Sequence, residues 1–276
     1  DDEEVLEPDF IVVGYGKVGG LELRYGSDLD LVFLYDTAKG KSTSGERELD
    51  NGVFYTRMGQ RMIHILSTQT RAGELYEIDM RLRPSGASGM IATSLSGFEK
   101  YQQENAWTWE HQALVRARKV SGSNTVQAKF EHIREQILTI TREKPILSEE
   151  VQAMRQKMRD NLGSKNSTDV RFQLKQDAGG IVDIEFMVQY GVLAWSHQYQ
   201  ELTHVTDNMR LLDAFVHCGL MSSQDCQTLQ ETYLAYRVET HKRALQNQDL
   251  LMTQNELVEL GFDIKINNVI SLWTSW

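Results

Sequence analysis

The first hydrophobic segments of the chain are short and favour strands over helices. Residues 10–13 form a largely β-branched run that ends at Gly14, which predicts a buried strand. In residues 28–33 apolar positions alternate with a second set that begins with Asp28 and Asp30. One face of this segment is apolar throughout, whereas the other begins acidic and becomes apolar. The pattern predicts a buried strand whose N-terminal end opens into a cleft.

The two carboxylates at the start of this strand are candidate metal ligands. Residues two apart on a strand point to the same face, so Asp28 and Asp30 can reach one divalent cation or a close pair. Two metal ions about 3.5–4 Å apart are a common device for displacement at phosphorus. The glycine-rich turn at 14–20 would then hold the triphosphate whose charge those ions neutralise.

The glycine-rich turn also matches a competing motif. Gly14, Gly16 and Gly19 have the spacing of a dinucleotide-binding fingerprint, and Asp36 stands where a ribose-binding acid would be expected. A parallel crossover needs about a dozen residues, usually a helix, and only 21–27 separate the turn from Asp28. The dinucleotide reading, and an ordinary glycine turn with exposed carboxylates, remain the weaker alternatives.

A second alternating segment supplies a third carboxylate. Residues 75–84 have the period of a strand, with Asp79, Arg81 and Arg83 on its polar face. If this strand lies beside the one that carries Asp28 and Asp30, the three carboxylates meet, and a cation must offset their repulsion. The rigid fork of arginine suits phosphate oxygens, so Arg81 and Arg83 are candidate phosphate ligands. The alternative is a polar, solvent-facing edge strand.

Helical periods dominate the rest of the chain. They predict helices at 46–66, at 98–119 with Trp107 in the core, and at 126–138, 149–162, 181–195, 202–219 and 223–246, with a strand at 171–175. The last 25 or so residues are weakly patterned. The flexible stretch at 121–124 predicts a boundary between a first domain, 1–122, and a mostly helical second domain, 123–276.

A glycine pair opens the predicted helix at 181–195. Gly179 and Gly180 could bring backbone N–H groups to an anion, with Lys175 beside them. We therefore keep two readings open, a structural turn and a lip of the nucleotide site.

Composition excludes several classes of protein. The 276 residues are 41% hydrophobic and 25% charged, with a net charge of −10 that argues against a broad nucleic-acid surface. No apolar run approaches the roughly 20 residues of a transmembrane helix. Cys218 and Cys226 have no metal or redox spacing, as is typical of reduced thiols in an intracellular protein. We expect a cytoplasmic protein with no nucleic-acid or membrane partner.

Four stretches of the chain together resemble a known family. These stretches are VGYGKVGGLELRYGSDLDLVFLYD, LYEIDMRLRPSGASGM, AWTWEHQALVRAR and DAGGIVDIEF. They resemble the bifunctional glutamine synthetase adenylyltransferase/adenylyl-removing enzymes. Their sequences are more similar to the adenylylating C-terminal half than to the adenylyl-removing half. The resemblance implies an α+β fold, in which a polymerase-β-like nucleotidyltransferase domain with a small mixed sheet precedes an α-helical bundle domain.

The resemblance also implies roles for matched residues. Asp28, Asp30 and Asp79 match the metal-binding catalytic carboxylates, and Mg²⁺ is the implied cofactor. Gly19, Gly20 and Ser27 fall in the family's glycine–serine turn, which implies contact with the triphosphate of ATP. Lys17, Arg81 and Arg83 are assigned to phosphate by chemistry alone. Val18 stands where the family usually has leucine.

The implied reaction transfers AMP from ATP to a tyrosine hydroxyl of glutamine synthetase and releases pyrophosphate. For the full enzyme the resemblance implies regulation by glutamine and by the PII signalling protein. Two alternatives remain: the phosphorolytic, adenylyl-removing half of the same enzyme, and a non-catalytic regulatory module that retains the fold. A nicotinamide-dependent oxidoreductase is a remote third.

Overall fold

The chain in the computed structural model divides into two units, between Leu138 and Thr139. The structure describes residues 9–24, 26–37, 42–43, 48–71, 73, 76–164 and 171–276. The break lies after a helix that the sequence had assigned to the second domain, so the structural units differ from the predicted 1–122 and 123–276.

The first unit combines short strands with helices. Its elements are β1 (Phe10–Gly14), α1 (Gly16–Gly19), β2 (Leu29–Tyr35), α2 (Asn51–Ser67), β3 (Ile78–Asp79), a 3₁₀ turn (Gly86–Ser88), β4 (Ala92–Ser94), α3 (Leu95–Glu104), α4 (Thr108–Val115), β5 (Arg118–Gly122) and α5 (Asn124–Leu138).

The strands form one small mixed sheet. Its order is β3-β2-β1-β5, and β4 also pairs with β2, beyond the end of β3. β1 runs antiparallel to β2 and to β5, whereas β3 and β4 run parallel to β2. β2 is therefore the central strand, and its N-terminal end lies beside β3.

Period-two alternation explains why both faces of this sheet are covered. Phe10, Val12, Leu31 and Phe33 point into one core, where α2 contributes Tyr55. The alternate residues, such as Ile11, Val13 and Leu34, are fully buried on the opposite face. The acidic start of β2 is the exception, and Asp30 is only half-buried.

The second unit is mainly helical. It contains α6 (Lys144–Leu162), β6 (Arg171–Gln173), α7 (Ile181–Trp195), a 3₁₀ turn (Gln200–Thr203), α8 (Asn208–His217), α9 (Ser223–Leu245), β7 (Leu251–Thr253), α10 (Gln254–Glu259) and α11 (Phe262–Ser275). α7 is buried on nearly all sides and packs against α6, α8, α9 and α11. β6 lies within the strand predicted at 171–175, and it pairs antiparallel with β7, a strand that was not predicted.

The fold class is confirmed: a small mixed sheet with helices precedes a helical unit. The helix predicted at 181–195 has the observed bounds of α7. Among the described helices, none combines the length and the hydropathy needed to cross a bilayer.

Several predicted helix starts are wrong, and local capping explains the shifts. α2 begins at Asn51 because the Asp50 side chain accepts a hydrogen bond from the Val53 N–H, 3.2 Å away. Residues 46–47 of that predicted helix lie outside the described part of the chain. α6 begins at Lys144, earlier than predicted, because Pro145 fits the first turn, where its missing N–H costs nothing.

Residues 98–119 are largely helical, as predicted, but they do not form one continuous helix. The segment contains α3, α4 and the start of β5. α4 begins anew because the Glu110 carboxylate accepts a hydrogen bond from the Trp107 N–H at 2.9 Å. Trp107, predicted to be in the core, is 70% exposed. The weakly patterned C-terminal residues contain β7, α10 and α11.

Candidate functional site

Three carboxylates meet at the N-terminal end of β2. Asp28 precedes the strand, Asp30 lies within it, and parallel pairing sets Asp30 opposite Asp79 at the end of β3. Each residue offers an oxygen, and these oxygens all lie within 4.8 Å of one another. All three residues are half-buried. We call Asp28, Asp30 and Asp79 the carboxylate cluster.

Two basic side chains partly balance the carboxylate cluster. Lys17 Nζ lies 3.8 Å from Asp28 Oδ1. The Arg81 Nε lies 2.8 Å from Asp79 Oδ2, and the Arg81 backbone N–H also donates to Asp79 Oδ1 at 2.8 Å. These bonds to Arg81 hold the pKa of Asp79 below its ordinary range, and Asp79 in turn raises the pKa of Arg81.

The donor set fits a hard divalent cation. All three ligand groups are carboxylates, and oxygen is the ligand that Mg²⁺ prefers. Carboxylates this close repel one another unless positive charge lies between or beside them. The cluster therefore suits Mg²⁺ better than a softer metal, which would select nitrogen or sulfur ligands.

Gly16 brings the glycine turn against the cluster. Its φ is +50°, and a Cβ added there would lie 2.4 Å from Asp30 Oδ2. The next contact is made by Tyr15, whose backbone N–H donates to the Asp30 carbonyl oxygen at 2.9 Å. The sequence motif had marked Gly16 only as part of a turn, although G-x-G spacing is typical of a close backbone approach.

Gly19 and Gly20 are glycines because of Arg116. A Cβ at Gly19 would lie 1.6 Å from the Arg116 carbonyl oxygen, and one at Gly20 would lie 2.2 Å from its Nη2. Their backbone N–H groups donate to the carbonyl oxygens of Tyr15 and Gly16, at 2.9 and 3.0 Å. These amides are thus engaged within α1, and the predicted contact of both glycines with triphosphate stays a prediction.

Ser27 shapes the turn that leads into Asp28. Its hydroxyl accepts a hydrogen bond from the Arg24 N–H at 3.2 Å, and its own N–H donates to the Arg24 carbonyl at 3.1 Å. Ser27 is buried. Burial lowers the pKa of Arg24, and the nearby charge of Asp28 opposes that effect. The predicted phosphate contact of Ser27 stays a prediction.

The strand predicted at 75–84 is much shorter than expected. β3 covers only Ile78–Asp79, and residues 74–75 lie outside the described part of the chain. The backbone then turns, and the Arg83 N–H donates to the Met80 carbonyl at 3.3 Å. Arg81 and Arg83 consequently do not share a strand face with Asp79.

The two arginines of this turn have different surroundings. The Arg81 side chain is 80% exposed apart from its pair with Asp79. The Arg83 guanidinium donates to the carbonyl oxygens of Met80, Ala87 and Gly89, at 2.7, 2.9 and 3.1 Å. Arg83 therefore holds the loop together, and its predicted role at phosphate is untested.

Lys175 belongs to the second unit, in the turn between β6 and α7. The amides that open α7 have partners within that turn: the Gly179 N–H donates to Asp183 Oδ2 at 2.6 Å, and the Gly180 N–H to the Asp177 carbonyl at 3.0 Å. The glycine pair thus has a structural role, which favours that reading over an anion site. A contact of Lys175 with nucleotide stays a prediction.

Sequence reasoning missed a buried ion pair behind the glycine turn. Arg116 donates to Glu22, and each side chain is only 4% exposed. Arg118, in β5, donates to the carbonyl oxygens of Val18 and Gly19, both at 2.9 Å. Arg116 and Arg118 were predicted to lie in a helical segment. The sequence therefore gave no indication of these contacts, because β5 was not predicted.

The dinucleotide reading is wrong for this fold. Its fingerprint requires a parallel βαβ unit, whereas β1 and β2 are antiparallel neighbours. Asp36 lies at the opposite end of β2 from the carboxylate cluster and pairs with Lys129.

Comparison with known proteins divides the chain into two matched regions. Residues 1–133 match the family model described as glutamate-ammonia ligase adenylyltransferase. Residues 149–265 match the model described as GlnD PII-uridylyltransferase.

Curated relatives match nearly the whole chain. Bifunctional glutamine synthetase adenylyltransferase/adenylyl-removing enzymes are 49% identical in Pseudomonas aeruginosa, over 97% of the chain and 28% of the relative. The enzyme of the same description in Pseudomonas putida is 52% identical over 90% of the chain and 26% of the relative. That of Acinetobacter baylyi is 50% identical over 87% of the chain and 26% of the relative. The chain thus spans about a quarter of the length of these relatives.

Proposed function

We propose that this chain transfers AMP from ATP to a tyrosine hydroxyl of glutamine synthetase, since residues 1–133 match the glutamate-ammonia ligase adenylyltransferase family model. The tyrosine oxygen forms a bond to the α-phosphorus, the bond to the leaving pyrophosphate breaks, and the tyrosine proton is released. The observation that carries the proposal is the carboxylate cluster, three acidic side chains converging beside a glycine turn.

The proposal assigns a metal-binding role to the carboxylate cluster. Asp28, Asp30 and Asp79 would hold Mg²⁺, which their oxygen ligands suit. When bound, Mg²⁺ neutralises charge on the α-phosphate and the leaving pyrophosphate and lowers the pKa of the tyrosine hydroxyl.

The remaining residues of the site would position the nucleotide. Lys17, already beside Asp28, supplies positive charge next to the glycine turn. The Arg81 side chain is mostly exposed, so it can exchange Asp79 for a phosphate oxygen. That exchange would leave an Asp79 oxygen, no longer engaged by Arg81, in a position to accept the tyrosine proton. The proposed nucleotide contacts within the first unit are completed by Ser27, Gly19, Gly20 and Arg83.

The reverse activity is the second candidate function. The curated relatives are named for both adenylyl transfer and adenylyl removal, and the chain matches only about a quarter of each. A phosphorolytic site would use the same cluster, with phosphate attacking the AMP–tyrosine bond. We favour transfer because the stretches at 75–90 and 106–118 resemble the adenylylating half.

One experiment separates these candidates. The chain is incubated with labelled ATP and unmodified glutamine synthetase, and separately with phosphate and adenylylated synthetase. Label appearing on the synthetase in the first reaction alone supports the proposal. Release of bound AMP in the second reaction alone would assign the chain to removal. No turnover in either, with no heat on titration with Mg·ATP, would favour the non-catalytic module.

The proposal extends to the setting of the whole enzyme. ATP and glutamine synthetase as substrates imply a cytoplasmic protein. Regulation by glutamine and by the PII signalling protein is proposed for the longer enzyme alone.

A further inference from the structure

The second unit contains a cavity, lined in part by polar side chains, that the proposed function does not use. Its volume is about 560 Å³, and α6 forms most of its wall. The residues that matter to its chemistry are Ser148, Gln152, Arg155, Gln156 and Arg159 of α6, with Trp273 of α11 opposite. All of them lie within the one unit.

Two arginines on one face of α6 line this cavity. Arg155 and Arg159 are four residues apart, so they lie one turn apart on the same side of the helix. Arg155 is 1% exposed and donates from Nε to Asp183 Oδ1 at 2.5 Å and from Nη2 to the Gln176 carbonyl at 2.6 Å. Arg159 Nη2 lies 3.3 Å from the same Asp183 oxygen.

Asp183 cannot satisfy both arginines. Its Oδ1 is shared between them, and its Oδ2 accepts from the Gly179 N–H at 2.6 Å. Two arginines therefore share one carboxylate oxygen, and the further negative charge that acts on Arg155 among the described residues is that of Asp177. Glu149 is the acidic residue in the described lining of the cavity, and its side chain is exposed.

Both arginines retain guanidinium N–H groups that make no hydrogen bond within the described residues. Among the described residues, neither Arg155 Nη1 nor Arg159 Nε has a hydrogen-bond partner, although both atoms are buried. Buried guanidinium N–H groups are normally satisfied, because an unmade bond to a charged donor is costly. Gln152, Gln156 and Ser148 add neutral donors around the same space.

We propose that this cavity is a binding site for an oxyanion, either a phosphate or a carboxylate group of a small molecule. Both groups present paired oxygens that match the planar fork of arginine. The anion would accept hydrogen bonds from the unused N–H groups of Arg155 and Arg159. The site is separate from the carboxylate cluster, which belongs to the first unit.

Calorimetric titration of the 276-residue protein tests this site. Inorganic phosphate and succinate are titrated separately, with EDTA present so that no metal can hold either anion at the carboxylate cluster. We expect one saturable site per chain. Arg159→Gln should weaken binding about tenfold or more, as for loss of a charge-assisted hydrogen bond. Lys157→Gln removes the same charge from the exposed side of α6, away from the cavity lining, and should change affinity less than about twofold.

Further arms make every outcome informative. Circular dichroism and melting temperature establish that each variant is folded, and Arg159→Lys, which keeps charge but loses the planar fork, should bind with intermediate affinity. Tighter binding of phosphate or of succinate identifies which oxyanion the site takes. No saturable binding of either anion, or equal losses in Arg159→Gln and Lys157→Gln, would overturn the proposal.

Discussion

At the scale of single residues, the candidate site depends on one position that has no side chain. Gly16 combines a positive φ with a close approach to Asp30 Oδ2. Any larger residue must therefore displace a carboxylate of the cluster as well as accept backbone strain. Gly26 also has a positive φ, +66°, but nothing lies within 4 Å of an added Cβ.

These two glycines give a matched pair of substitutions. Both Gly16→Ala and Gly26→Ala should lose about 1–2 kcal/mol of unfolding free energy through backbone strain. Gly16→Ala alone should also weaken Mg·ATP binding at least about tenfold, because Asp30 must move. Urea denaturation and calorimetric titration measure the two effects. Equal nucleotide affinities in the two variants would contradict the role given to Gly16.

The pair of Asp79 and Arg81 predicts a pH effect. A carboxyl whose folded pKa is depressed contributes stability above its unfolded pKa of about 3.9, and this contribution is lost as pH falls through the folded pKa. Arg81→Gln should therefore lower the unfolding free energy near neutral pH, by less than about 1 kcal/mol because the arginine is exposed. The difference from the unmodified protein should shrink below about pH 4.

Carboxyl NMR titration gives the direct test of that pair. The pKa of Asp79 should rise in Arg81→Gln and stay unchanged in Arg57→Gln, which removes an exposed arginine from α2. An unshifted Asp79 in Arg81→Gln would show that the two side chains are not paired in solution.

At the scale of elements, segments with strong hydrophobic periodicity were predicted correctly, whereas short strands were not. α7 is apolar almost throughout, and its bounds were predicted. β2 was predicted because Leu29, Leu31 and Phe33 form one apolar face, and the alternate positions begin with Asp28 and Asp30. β3 has only two residues, too few to show an alternating pattern, and it forms because it pairs with β2. β5 is exposed along most of its length, so its sequence shows no buried face, and it forms because it pairs with β1.

The same limit applies to the site. The carboxylate cluster could be predicted because D-x-D spacing and parallel neighbours are local and topological features. The surroundings of Arg83, Arg116 and Arg118 could not, because each depends on a turn or strand that brings distant backbone carbonyls or carboxylates within reach.

The buried pair of Glu22 and Arg116 should stabilise the turn between β1 and β2. Glu22→Gln and Arg116→Met should each lower the unfolding free energy by about 3–5 kcal/mol, because each removes one charge of a buried ion pair. The double variant should lose less than the sum of the two. Urea denaturation of all three proteins gives the coupling energy.

An exposed pair is the control for this cycle. Lys100 and Glu104 are 71% and 58% exposed, so Glu104→Gln should cost no more than about 0.5 kcal/mol. A Glu22→Gln protein as stable as Glu104→Gln would contradict the buried pairing.

At the scale of the whole molecule, the position of α5 decides where the first unit ends. Phe130 and Leu138 of α5 are fully buried, and Arg134 donates to the Leu114 and Val115 carbonyl oxygens, at 3.0 and 2.6 Å. The serine and glycine residues at 121–124 suggested a linker, but they end β5 and begin α5 within one unit.

Two fragments test that boundary. A fragment of residues 1–138 should unfold cooperatively on heating, because it retains the buried face of α5. A fragment of residues 1–122 should lack a cooperative transition, since the partners of Phe130 and Arg134 would be exposed. Circular dichroism melts compare the two. A cooperative transition of equal midpoint in the shorter fragment would restore the boundary predicted from the sequence.

The central claim, that the carboxylate cluster transfers AMP, is tested most directly by incorporation of labelled AMP from ATP into glutamine synthetase. Asp30→Asn should reduce the initial rate of AMP incorporation by more than about a hundredfold. This loss exceeds the roughly 10–100-fold expected when a residue that only hydrogen-bonds to a metal ligand is replaced. Asp36→Asn changes an acid at the other end of β2, outside the cluster, and should leave the rate within about twofold. Incorporation by folded Asp30→Asn at a rate close to that of Asp36→Asn would contradict the account.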